Sequence, residues 1–113
     1  MLDAFNALGL YDFWLNSFTS SQAGDDVAEI HAGTNFPTRC ATLRFFNVEY
    51  ISLPTLFHHA QVRLATNDEL RAIRKLVEFE AQLFAIDAEV GDPEEQRTYF
   101  VAASDVMLDA PMH

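Results

Sequence analysis

The stretch VEFEAQLFAIDAEV, residues 77–90, decides what kind of fold this chain can form. Its alternation slips phase near Leu83, and part of its apolar spacing would also suit a continued helix. Beyond Leu83, Phe84, Ile86 and Ala88 alternate with Ala85, Asp87 and Glu89, the period of two that a half-buried strand requires. Residues 83–90 therefore read as strand. Asp92 and Pro93 suit the first two positions of a type I turn, after which TYFVAASDVML, residues 98–108, returns as the antiparallel partner.

Upstream of this pair lies a helix signal. Thr66 can accept from the backbone amide of Glu69 while the Glu69 side chain reaches back, a capping box, and Leu70, Ile73 and Val77 form an apolar stripe opposite Arg71, Arg74 and Lys75. A helix is expected over about 67–77. Earlier still, AQVRLA (60–65), VEYISL (48–53), CATLRFF (40–46) and DVAEIHA (26–32) alternate or are rich in β-branched and aromatic residues. Asn47 suggests a bulge or tight turn between two of these runs, and Pro54 should end one, since it donates nothing to a ladder. From Leu2 to Phe18 the apolar residues Leu2, Phe5, Leu8, Leu15 and Phe18 predict an amphipathic helix with a potential break at Gly9, followed by the polar loop of residues 19–26. The order of elements predicts one α+β domain over residues 1–113. Its sheet would be mostly antiparallel, with about five to six strands, and the N-terminal and central helices would pack on one face.

Composition narrows the function. Seventeen acidic residues against seven basic give a formal charge of -10, a field that repels phosphate backbones and anionic membrane surfaces. No apolar run reaches the roughly 18 residues of a membrane-spanning helix, and the acidic N-terminus is unlike a secretory signal. The expectation is a cytoplasmic protein that binds neither nucleic acid nor membrane. Cys40 is the only cysteine, so no intrachain disulfide forms, and its strand setting suits an inert thiol.

The most suggestive residues are the neighbours His58 and His59. On a regular strand they point to opposite faces, so only a loop could aim both at one metal ion, and the pair lies between Pro54 and the alternating run at 60–65, where a loop enters that strand. Ser104 and Asp105 invite a nucleophilic triad with a histidine, but no G-x-S-x-G elbow accompanies them. Asp87 and Glu89 share a strand face and, with Glu78 and Glu80, suggest an acidic stripe that attracts a basic partner. Phe46, Tyr50 and Phe57 suggest an outward aromatic row of the kind that marks interfaces. The sequence thus predicts a non-enzymatic interaction module with no cofactor. It would bind a protein partner or a second copy of itself through Phe46, Tyr50, Phe57, Asp87 and Glu89. The alternative is a small-molecule or metal-binding domain with a pocket near His58 and His59.

Overall fold

A computed structural model describes residues 2–19, 26–36, 38–91 and 94–109. The turn expected at Asp92 and Pro93 and most of the loop expected at 19–26 fall outside these residues. In chain order the elements are α1 (Leu2–Ala7), β1 (Asp12–Thr19), β2 (Val27–Gly33), β3 (Ala41–Phe46), β4 (Tyr50–Ser52), β5 (Leu56–Leu64), α2 (Asn67–Arg74), β6 (Gln82–Val90), β7 (Glu95–Ala103) and β8 (Asp105–Asp109). Among the described residues no helix is long and apolar enough to cross a membrane.

This arrangement overturns the expected α+β layer. Eight antiparallel strands form one sheet in the order β4-β7-β6-β5-β1-β2-β3-β8, and the helices have only six and eight residues. The N-terminal helix stops early because the chain turns at Gly9, whose φ of +63° is one that L side chains rarely adopt, and β1 begins three residues later. Nor do the helices share a face. Helix α1 sends Phe5 into the interior, edge-on to Phe13 at 5.9 Å, while the Asn6 amide holds the Val62 C=O and N–H at 2.8 Å each. Helix α2 lies against the outside of the sheet, its Ile73 packed with Phe79, Leu83 and Ala102.

The two terminal strands of that order are continuations of strands within it. Strand β4 follows β3 after a bend at residues 47–49, where Asn47 has φ +53°, and β8 follows β7 after Ser104. Strand β3 pairs with β8 and β4 pairs with β7, so the two bent segments run side by side; Phe46 is opposite Asp105 and Tyr50 opposite Ala102. Hydrogen bonds from Ser104 N–H to the Phe46 carbonyl (2.9 Å) and from Glu49 N–H to the Ala102 carbonyl (2.8 Å) carry the ladder through the bend. The sheet therefore closes on itself as a barrel and, among the described residues, leaves no long unpaired edge. Inside, alanines 28, 32, 41, 60, 88 and 103 make room for Phe45, Phe57 and Phe84, the mixture of small and large residues that fills a small barrel.

The remaining elements follow the chemistry of their residues. The capping box forms as expected, with Thr66 accepting from Glu69 N–H and the Glu69 carboxylate from Thr66 N–H. Helix α2 is tied to the barrel by Arg63 of β5, which binds Glu69 at 2.6 and 2.9 Å and Asp87 of β6 at 2.8 and 3.2 Å. The guanidinium holds the Glu69 carboxyl down at about 2 and also lowers that of Asp87.

Candidate functional site on the histidine face

Strand β5 departs from regular geometry where the histidines sit. His58 is opposite Glu89 and Gln61 is opposite Asp87, so three steps along β5 match two along β6. The extra residue makes a bulge, and His59 takes it up with φ +49°. Phe57 points into the barrel and so does Ala60, three residues later, whereas His58 and His59 both lie outside the core. The expected loop is thus a bulged strand, and the bulge does what a loop would have been needed for: it puts adjacent side chains on one face.

That face collects groups from several segments. Tyr11, just before β1, accepts the His59 N–H at its carbonyl (3.0 Å) and lays its ring against both imidazoles, with centroids 5.2 Å from His58 and 4.3 Å from His59. His58 Nδ1 is 2.9 Å from Asp12 Oδ1, and the other Asp12 oxygen accepts the Phe36 N–H at 2.7 Å. His59 Nδ1 is 2.8 Å from Glu89 Oε2, while Gln96 donates to Glu89 Oε1 at 3.2 Å. The Tyr11 hydroxyl donates to Glu94 Oε1 at 3.3 Å. The hydrogen bond from His59 holds the Glu89 carboxyl below its ordinary value, and the nearby Glu94 charge raises the Tyr11 hydroxyl. One ligand atom each from His59, Glu89 and Glu94 lies within 4.8 Å of the other two.

Next to this polar group is an apolar rim. Gly33 allows it: a Cβ there would come within 2.1 Å of the Thr38 carbonyl oxygen, so only glycine lets the β2–β3 connection fold so close to the strand end. The connection carries Phe36 onto Trp14, edge-on at 5.0 Å, and Leu56 is opposite Trp14 on β5. Tyr11, Phe36 and Leu56 are each well exposed. On the far side of Trp14, His31 binds Glu29 at 2.8 Å and Arg44 binds the other Glu29 oxygen at 2.9 Å, which lowers the Glu29 carboxyl.

The other residues singled out in the sequence are placed differently. Phe57 is 1% exposed and stacks on Phe13 at 5.7 Å inside the barrel, so it offers no surface to a partner. Tyr50 is half-buried against the α2 cluster, and Phe46 is half-buried at the end of β3. Asp87 is engaged by Arg63 and Thr98. Of the interface set, Glu89 alone joins the histidines. Glu78 and Glu80 line a separate hollow of about 590 Å³ with Asp26 and Glu49, where Glu49 accepts the N–H groups of Glu80 and Ala81. Ser104 and Asp105 shape the β7–β8 corner: the Ser104 hydroxyl donates to the Phe46 carbonyl, and Asp105 Oδ1 accepts the Val106 N–H. Cys40 is half-buried beside the start of β3. Tyr11 and Asp12 were not signalled, because both fell inside the expected helix, and Glu94 stood out only as a carboxylate paired with Glu95 beside an expected turn. No family model matches this chain, and neither does any curated protein or solved structure.

Proposed function

We propose that this domain is a binding protein whose recognition site is the histidine face, and that its ligand is cationic. The observation that carries this reading is convergence. Side chains of Tyr11, Asp12, His58, His59, Glu89, Glu94 and Gln96 meet in one place, as a binding site requires and a mere solvated face does not. Three carboxylates, Asp12, Glu89 and Glu94, surround two imidazoles, and the chain's formal charge of -10 concentrates cations around it. Amide NMR titrations with zinc chloride, spermidine and a lysine-rich peptide test the proposal. At least one should give saturable shifts centred on residues 11–12, 58–59 and 89–96, and the absence of such shifts with all three would refute it.

A second reading is supported by the rim. Tyr11 at 39%, Leu56 at 44% and Phe36 at 51% exposure form an apolar border on which a protein partner or a second copy can seat. Phe36→Asp should then convert a dimer to a monomer in light scattering. A monomeric parent protein would remove self-association from consideration.

A further inference from the structure

We infer that the ligand of this face is a divalent transition-metal ion, held by His59, Glu89 and Glu94. The inference rests on the reading of the face as a cation site and narrows it to one ion class and three residues. The geometry is close to what an ion needs. The three donor atoms lie within 4.8 Å of one another, and a tetrahedral zinc with bonds near 2.1 Å would space them at about 3.4 Å. His59 and Glu94 are exposed, so ordinary side-chain rotation closes the difference. His59 Nδ1 and Glu89 Oε2 already face each other at 2.8 Å across one proton. The ion takes that proton's place at Nδ1: from an imidazolium the Nδ1 proton leaves to solvent and Nε2–H remains, and from a neutral ring the proton moves through solvent to Nε2, so that neutral imidazole binds the ion in either case.

What surrounds the ligands supports the assignment independently of their spacing. Metal-bound carboxylates are characteristically held by a hydrogen bond to the oxygen that does not face the ion. Gln96 holds Glu89 Oε1, which leaves Oε2 toward His59, and the Tyr11 hydroxyl holds Glu94 Oε1, which leaves Oε2 for the ion. The backbone of His59 is fixed in turn by its N–H bond to the Tyr11 carbonyl and by the bulge. His58 stands outside this set because Asp12 engages it. An imidazole among the ligands selects zinc, copper, iron or nickel over calcium or magnesium, and three protein ligands leave a position open to water.

The test is calorimetric titration of the whole chain with zinc chloride, repeated with Glu94→Gln, His59→Gln and the control His31→Gln, which disrupts a histidine–carboxylate pair elsewhere. One ion should bind, Glu94→Gln and His59→Gln should each weaken it at least tenfold, and His31→Gln should leave it unchanged. Circular dichroism of each variant confirms that it is folded. The inference is overturned if zinc does not bind, or if all three variants lose affinity equally. If zinc fails while spermidine or the lysine-rich peptide still shifts residues 11–12, 58–59 and 89–96, the metal assignment falls and the cation-binding reading stands. If none of them shifts those residues, both fall.

Discussion

The bulge at His59 predicts an inversion of a familiar ranking. In a regular strand, replacing a residue by glycine is worse than replacing it by alanine, by about 0.5–1 kcal/mol of backbone entropy. Position 59 has φ +49°, where a residue with a Cβ carries about 1–2 kcal/mol of strain that glycine escapes. Both His59→Gly and His59→Ala lose the hydrogen bond with Glu89, so that loss cancels in the comparison. The net expectation is that His59→Gly is more stable than His59→Ala by about 0.5–1 kcal/mol. For a domain of this size the gap corresponds to about 2–4 °C in Tm. Urea unfolding of both variants, followed by Trp14 fluorescence, reads it directly. If alanine equals or exceeds glycine, residue 59 is not in the left-handed region. The bulge would then be absent, and the two histidines would not share a face.

Three further perturbations bear on the fold. Phe57→Ala should cost about 3–5 kcal/mol, since the ring is 1% exposed and stacked within the barrel, and a loss under about 1 kcal/mol in urea unfolding would place it at the surface instead. Asn6→Leu leaves the N–H and C=O of Val62 without their partner and should cost about 2 kcal/mol; an unchanged denaturation midpoint would mean that α1 does not dock on β5. Arg63 holds the Glu69 carboxyl at about 2, below its ordinary 4.5, so the pair contributes stability in full above about pH 4.5 and loses it as the pH falls toward 2. Because Arg63 is more than a third exposed, that contribution is about 1 kcal/mol, and the parent's advantage over Glu69→Gln should shrink by this much between pH 6 and pH 2.5.

The parts of the fold legible in the sequence are those whose signals are local. The alternation of Phe84, Ile86 and Ala88 marks β6, and Thr66 with Glu69 marks the start of α2. At the N-terminus the spacing of Leu2, Phe5 and Leu8 fits a short helix, and Gly9 marks its break, but the helical stripe does not resume beyond it as Leu15 and Phe18 suggested. Phe13 and Trp14 are both buried, one inside the barrel and the other under the β2–β3 connection, so the alternation of β1 is erased. Closure was not legible because it depends on two bends, at 47–49 and at Ser104, that let two chain segments each serve as two strands. The candidate site was half visible. His58 and His59 stood out, yet the argument that neighbours on a strand diverge held only for a regular strand, and no glycine announces the bulge. Tyr11 and Glu94 reach the site through pairings of β5 with β1 and of β6 with β7, which join residues far apart in the chain.

The most direct test of the site is diffraction at the zinc absorption edge from crystals grown with one equivalent of zinc. The account predicts one anomalous peak, among His59 Nδ1, Glu89 Oε2 and Glu94, with Tyr11 and Gln96 behind the two carboxylates. A peak in the hollow of Asp26, Glu49, Glu78 and Glu80 instead, or no peak at all, would contradict it.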